Sequence, residues 1–371
     1  MVGERPVGRA RAVIGVVRES AQGERRVAMV PKVLERLSAK GIEVVVQPDA
    51  GAAALIPDAQ FERAGAKLAD PWAADIVVKV APPTEAEIAR LRSGSVLIGF
   101  LEPQVRPEIT SALRAAGVHG FAMEAIPRIS RAQAMDALSS QGSIAGYRAA
   151  LLAAEHLTRF LPMLTTAAGT VPPASVLVLG AGVAGLQALA TARRLGARTT
   201  GYDVRPEVAD QVRSVGAQWL ELDIAAVGSG GYARELTEAE RVDQQHRLTD
   251  AVMGFDAVIS TAQVPGQPAP VLVTAEAVAG MRAGSVVVDL AGAGGGNCAL
   301  SEPGETVVRD NVTVSAPLNL ASSMPEHASE LYARNVLALL DELLDEQGAL
   351  AVDFTDEVVA ATCVTGQDGQ S

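Results

Sequence analysis

At residues 176–205 the sequence reads VLVLGAGVAGLQALATARRLGARTTGYDVR: an apolar run, a glycine turn, a helical stretch and a second apolar run. This stretch narrows the possible folds more than any other in the chain. Residues 176–179 suit a parallel strand buried on both faces, and Gly180, Gly182 and Gly185 follow in the spacing GxGxxG. Each glycine answers a physical need. Gly180 permits the tight turn, Gly182 lets a pyrophosphate approach the backbone, and Gly185 lets the next helix lie close to the strand. That helix, from Val183, aims free N–H groups and its positive dipole end at the phosphates. Glycine is common here, at 35 of 371 residues, so the spacing alone is weak. Context strengthens it, because a second strand ends in Asp203, where a carboxylate can accept hydrogen bonds from both ribose hydroxyls of an adenosine. Such a carboxylate repels a 2′-phosphate, which favours NAD(H) over NADP(H). Arg205 lies close by and could accommodate that phosphate.

The remaining chain is too long for one domain, so two are expected, each with its own core. Hydrophobic residues make up 49% and aromatics only 3%, a balance that suits parallel α/β packing. A net charge of −12 argues against nucleic acid or anionic lipid as a partner. Cys298 and Cys363 make no disulfide framework, and neither CxxC nor a His-rich cluster offers a metal site. A reducing, cytoplasmic setting is expected. No signal peptide or membrane span is evident.

In chain order, residues 12–17 read as a strand, 31–40 as a helix opened by Pro31 and closed by Gly41, 42–46 as a strand and 61–68 as a helix. Strands at 75–80 and 96–100, helices at 85–91 and 107–116, and a short strand near Gly120 complete a first βα run without a glycine fingerprint. Residues 128–141, RISRAQAMDALSSQ, are polar enough for a solvated interdomain loop, with a long helix over 143–160. Residues 223–247 read as a long polar loop of the kind that is functional or mobile. Strands are expected at 257–261, 285–290 and 312–315, the last of their sheet, with a helix at 275–281. A second glycine-rich turn, AGAGGGNC, opens at a strand's carboxyl end, where α/β sheets place ligands. A helix over 326–346 returns the chain to the first domain, and residues 350–364 alternate like a strand. The fold class is α/β: two Rossmann-like parallel-sheet domains joined by long helices, one formed by 1–136 with 324–371, the other by 140–320.

The segments RISRAQAMDALSSQ, AGYRAALLAAEHL, VLVLGAGVAGLQALATARRLGA, GYDVRPEVADQVRSVGA, PGQPAPVLVT, GGNCALSEPGE and AVDFTDEVV together closely resemble the NAD(H)-binding component, domain I, of proton-translocating nicotinamide nucleotide transhydrogenase. The resemblance runs nearly end to end and suggests the first portion of an alpha subunit, encoded separately. It implies that Arg128, Gln133 and Asp136 orient the nicotinamide, with Ala134, Met135 and Ser139 as further nucleotide contacts. It implies contacts from Val183, from Asp203, Val204 and Arg205 at the adenosine ribose, from Gly231 and Tyr232 on a mobile loop that closes over the nucleotide, and from Gln263. Arg205 then belongs to the family's DVR motif and need not signal NADP. The implied partners are the second, membrane-spanning portion of the alpha subunit and a beta subunit that binds NADP(H). This chain would then be a homodimer held at the cytoplasmic side of the membrane through them.

Alanine dehydrogenase is the rival, since it resembles this chain in several motifs, including an arginine at Arg26 and a lysine at Lys79 that could hold a substrate carboxylate and carbonyl. Interconverting an amino acid and a keto acid also needs a proton donor and acceptor near the reacting carbon. Where that family has a histidine this chain reads FLEP after residue 99, and where it has an aspartate this chain has Gly292, Ala293 and Gly294. Hydride exchange between two nicotinamides needs no such groups. It needs two rings held about 3–3.5 Å apart with water excluded.

Overall fold

The computed structural model describes residues 11–222, 237–263 and 267–366, so Gly231 and Tyr232 lie outside the described residues. The chain divides into two compact units, Met1–Gln141 with Ala321–Ser371, and Gly142–Leu320.

The first unit begins with β1 (Val13–Val16), α1 (Pro31–Ala39), β2 (Glu43–Val46), α2 (Asp58–Arg63), β3 (Lys67–Leu68), β4 (Ile76–Val78), α3 (Glu85–Ile88), β5 (Val96–Gly99), α4 (Pro107–Ala115) and β6 (His119–Ala122). The six strands form one parallel sheet in the order β3-β2-β1-β4-β5-β6. Their period of two sorts the core: Ile14, Val16, Ile76, Val78, Val96 and Ile98 face one apolar layer, while Val77 and Leu97 face the other with Trp72 and Leu113.

α5 (Ala137–His156) carries the chain across the boundary, which falls between Gln141 and Gly142. The second unit holds a hairpin, β7 (Leu164–Thr166) and β8 (Gly169–Val171), then β9 (Ser175–Leu179), α6 (Val183–Arg194), β10 (Arg198–Tyr202), α7 (Ala209–Ser214), β11 (Gln218–Trp219), α8 (Glu238–Met253), β12 (Ala257–Ser260), α9 (Ala275–Gly280), β13 (Val286–Asp289), β14 (Thr306–Arg309) and β15 (Val312–Ser315). Its seven-stranded sheet runs β11-β10-β9-β12-β13-β15-β14, parallel except for the edge pair β14 and β15. Val176, Val178, Ile259 and Val288 face one layer, and Leu177, Leu179, Val258 and Val287 the other. The chain re-enters the first unit at Ala321, where α10 (Pro325–Leu343) buries Tyr332, Val336, Leu339, Leu340 and Leu343, and α11 (Glu357–Thr362) follows.

Several local expectations are corrected. The helix expected over 61–68 spans Asp58–Arg63, and Gly65 at φ +93° turns the chain into β3. α5 starts six residues before the expected 143, so Ser139 and Ser140 lie in a helix rather than a loop. Of the polar stretch 223–247, the portion from Glu238 onward is helical, opened by a capping box in which Thr237 and Glu240 satisfy each other's backbone N–H groups. Residues 312–315 form the last strand in chain order, as expected, and β14, an unexpected strand, pairs outside them. The tail expected as a strand contains α11, because Asp356 accepts from the N–H groups of Val358 and Val359 and so caps a helix.

α5 and α6 approach so closely that a Cβ placed on Gly146 would lie 2.0 Å from the carbonyl oxygen of Ala184. A carbonyl in a helix cannot yield cheaply, so Gly146→Ala should destabilise the second unit by about 1–3 kcal/mol. The chain has two tryptophans, one in each unit. Denaturant titration followed by Trp219 emission in a Trp72→Phe background measures the effect, and an unshifted midpoint contradicts it.

Candidate dinucleotide site

The glycine turn of the second unit is built as its spacing requires. Gly180 sits at φ +95°, in the left-handed region, and its N–H donates to the Tyr202 carbonyl at 2.8 Å. A Cβ on Gly185 would lie 1.8 Å from the Gly180 carbonyl oxygen, so only glycine allows α6 this close to β9. Around Gly182 a Cβ would meet nothing within 4 Å, which leaves the backbone open to a ligand. Leu186 makes the first helical bond, to Gly182, so the N–H groups of Val183, Ala184 and Gly185 have no helical acceptor. This is a cradle suited to a pyrophosphate.

Asp203, at the end of β10, ties the turn together. Its carboxylate accepts from the Ala181 N–H at 2.8 Å, the Arg205 N–H at 2.9 Å and the Arg205 guanidinium at 3.0 and 3.1 Å. Burial pushes its pKa up, but Arg205 and the two backbone donors more than reverse this and leave it below the usual carboxylate range. Arg205 is therefore committed to Asp203, although its side chain is half exposed and free to swing out. Val183 and Val204 are 43% and 69% exposed, an apolar rim beside a polar turn. Gln263 is exposed and donates to the Leu290 carbonyl at 2.9 Å.

The second glycine-rich turn is closed on itself. Fully buried Asp289 accepts from Ser260, Ser301 and the N–H groups of Ala291 and Cys298, while Asn297 donates to the carbonyls of Ala262 and Pro270. Those side chains are spent on the loop's own shape.

The nicotinamide candidates lie together in the first unit. Residues Ser130–Met135 form a 3₁₀ segment anchored by buried Ala132 and Met135, which leaves Arg128, Gln133 and Ala134 exposed. The side chains of Arg128 and Gln133 have no partner among the described residues. Asp136 accepts from the Ser139 N–H at 2.8 Å and the Ser139 hydroxyl at 2.6 Å, the geometry of an N-cap for α5. Each of these groups is complete within its own unit.

The two cations shared with the dehydrogenase motif are both buried and both taken. All three guanidinium nitrogens of Arg26 donate within the chain: two to the Glu24 carboxylate at 2.8 and 2.6 Å, one to Gln141 at 2.9 Å. Lys79, with no exposed surface, donates to Glu87 at 3.0 Å and to the Pro82 carbonyl at 3.2 Å, with Glu19 3.7 Å away. Asn335, Gln141, Glu19 and Gly146 carry no sequence signal of their roles. Each is a common residue type within an ordinary pattern, and only its neighbours give it a role.

Two mainly parallel sheets, one with a complete dinucleotide-type turn, define an α/β nucleotide-binding class. The chain belongs to the alanine dehydrogenase/PNT family: the N-terminal domain profile matches residues 15–145 and the C-terminal domain profile residues 149–370. It is 43% identical over 371 residues to the first portion of the NAD(P) transhydrogenase subunit alpha of Rhodospirillum rubrum, covering 96% of each chain. It matches the crystal structure of transhydrogenase from Sinorhizobium meliloti with a TM-score of 0.87 and 42% identity, over 95% of this chain and 98% of that one. The alanine dehydrogenase of Mycobacterium tuberculosis is 35% identical over 286 residues, 75% of this chain and 72% of that protein. The fold class and the family resemblance read from the sequence both hold. Among the described residues no helix is long and apolar enough to cross a membrane.

Glu19 adds a pH dependence to the first unit. Burial drives its pKa from 4.5 to about 7, and Lys79 and the Val80 and Ala81 N–H groups only partly oppose this. Folding therefore favours protonated Glu19. This contribution is fully present below pH 4.5 and is lost as pH rises to about 7. Glu19→Gln should remove that component of the slope when unfolding of the first unit is followed by Trp72 emission in a Trp219→Phe background. Equal slopes for variant and parent would show that Glu19 does not titrate on folding.

Proposed function

We propose that this chain is the NAD(H)-binding component of a proton-translocating NAD(P) transhydrogenase. It is active with the second, membrane-spanning portion of the alpha subunit and a beta subunit that binds NADP(H), as a homodimer attached to the cytoplasmic side of the membrane through them. The observation that carries the reading against the dehydrogenase is the state of Arg26 and Lys79. A keto acid needs cationic donors for its carboxylate, and here every guanidinium nitrogen of Arg26 and the ammonium of Lys79 already donate to Glu24, Gln141 or Glu87.

The residues present fit the dinucleotide. The open backbone at Gly182 and the free N–H groups at the start of α6 suit the pyrophosphate, and Asp203 suits the ribose hydroxyls once Arg205 swings away. When bound, NADH supplies the hydride that passes to the NADP⁺ of the partner. The chain supplies position: Arg128, Gln133, Ala134, Met135, Asp136 and Ser139 orient the nicotinamide end, Val183, Val204 and Arg205 flank the adenosine end, and Gly231, Tyr232 and Gln263 add further contacts. None of them exchanges a proton with the reacting carbon. The donor stereochemistry belongs to the Re/Si-specific class.

Fluorescence titration should show NADH preferred over NADPH, with the gap narrowed in Asp203→Asn; equal affinities for the parent chain would remove the basis of the NAD assignment. Hydride exchange should appear only when an NADP(H)-binding partner domain and NADP⁺ are added, and Gln133→Ala should slow it on the order of a hundredfold while NADH binding changes little. Pyruvate- and ammonium-dependent NADH oxidation by this chain alone, at a rate of about 1–10³ s⁻¹, would instead make it a dehydrogenase.

A further inference from the structure

The segment that carries Arg128, Gln133 and Asp136 is held from beneath by one buried amide. Asn335 on α10 is 7% exposed; its Nδ2 donates to the Ala134 carbonyl at 2.8 Å and its Oδ1 accepts from the Ser140 hydroxyl at 2.7 Å. One side chain thus fastens both ends of the stretch, the 3₁₀ segment next to Gln133 and the first turn of α5 next to Asp136 and Ser139.

The fastening continues inward. Gln141 donates from Nε2 to the Ser140 hydroxyl at 3.2 Å and to the Ala328 carbonyl at 3.1 Å, and accepts from Arg26 at 2.9 Å. Arg26 is in turn gripped by Glu24. A continuous chain of hydrogen bonds therefore runs from Glu24 through Arg26, Gln141, half-buried Ser140 and Asn335 to the backbone beside Gln133. The segment's other polar anchor is weaker: Arg131 pairs with Asp356 and Glu342 at the surface, where ion pairs contribute little.

We propose that Asn335 is a positioning residue for nicotinamide chemistry: through Ala134 and Ser140 it fixes the Arg128–Gln133–Asp136 constellation, and the Glu24–Arg26 pair acts as the far anchor of that same chain. The inference rests on the nicotinamide assignment proposed above. It gives Arg26 a use in this chain that requires no substrate carboxylate. A segment loosened by about an ångström still binds the dinucleotide through the glycine turn, but presents the ring badly, and that costs on the order of a hundredfold in rate.

Asn335→Asp tests this directly, because it keeps the side-chain volume and the acceptor for Ser140 but places a carboxylate oxygen against the Ala134 carbonyl. With the full chain and an NADP(H)-binding partner domain, single-turnover hydride transfer to NADP⁺ should slow about tenfold to a hundredfold, while the Kd for NADH stays within about threefold. The emission of bound NADH, which reports the ring's surroundings without any partner, should change in parallel. Ser140→Ala cuts the same chain one bond earlier and should reproduce both effects; it also stands in if Asn335→Asp does not fold. Parental rate and parental NADH emission in the variants would overturn the proposal, and so would a rate loss fully matched by weaker NADH binding. A parent chain that binds NADH but exchanges no hydride would defeat the transhydrogenase reading alone, and the emission readout would still decide the role of Asn335. A parent that binds no NADH would overturn both.

Discussion

Two buried cations set the terms for the interior of the first unit. An arginine or lysine taken out of water must find an anion or it destabilises the fold by several kcal/mol. Arg26 finds Glu24, and Lys79 finds Glu87 with Glu19 close by. Much of the surrounding order follows from these pairings. Tyr332 sends its hydroxyl to the Lys79 carbonyl at 2.8 Å, which locks α10 to the end of β4. Gln141 takes the remaining Arg26 nitrogen, and its own amide then orders Ser140 and the turn of α5 that leads out of the unit.

The second unit uses a related device in its turns, with buried carboxylates organising backbone. Asp203 gathers the N–H groups of Ala181 and Arg205, and Asp289 gathers those of Ala291 and Cys298. The two turns look alike as glycine-rich sequence following a buried strand, yet they differ in what they leave over. At Gly182 the backbone is open and the first N–H groups of α6 lack helical acceptors. At residues 291–298 the N–H groups of Ala291 and Cys298 go to Asp289, and the Asn297 amide bridges Ala262 and Pro270. Of the two, the turn at Gly182 has the geometry suited to a phosphate, an open backbone at the start of the long helix α6.

The chain carries two likenesses within its family. Its relatives include both transhydrogenase subunits and alanine dehydrogenases, which share the sheets and much of the motif pattern. A shared fold leaves function to the site. In this molecule the buried cations of the first unit face carboxylates of the chain itself.

The sequence alone determined the elements whose cause is local or periodic. Continuous apolar runs such as 176–179 made parallel strands inevitable, GxGxxG dictated the turn at Gly180, and Asp203 was legible at its distance from those glycines because the spacing reflects one helix and one strand. Short edge strands were not legible: β3 has two residues and β14 is mostly exposed, so neither carries a readable pattern. The tail misread as a strand shows how a cap overrides alternation, since Asp356 contributes two hydrogen bonds that no periodicity count registers. Only the tertiary structure decided that Gly146 must be glycine and that Asn335, some two hundred residues from Ala134, holds that residue's carbonyl. Those roles depend on which atoms arrive at one place from distant stretches of the chain, and a linear pattern contains no measure of that distance.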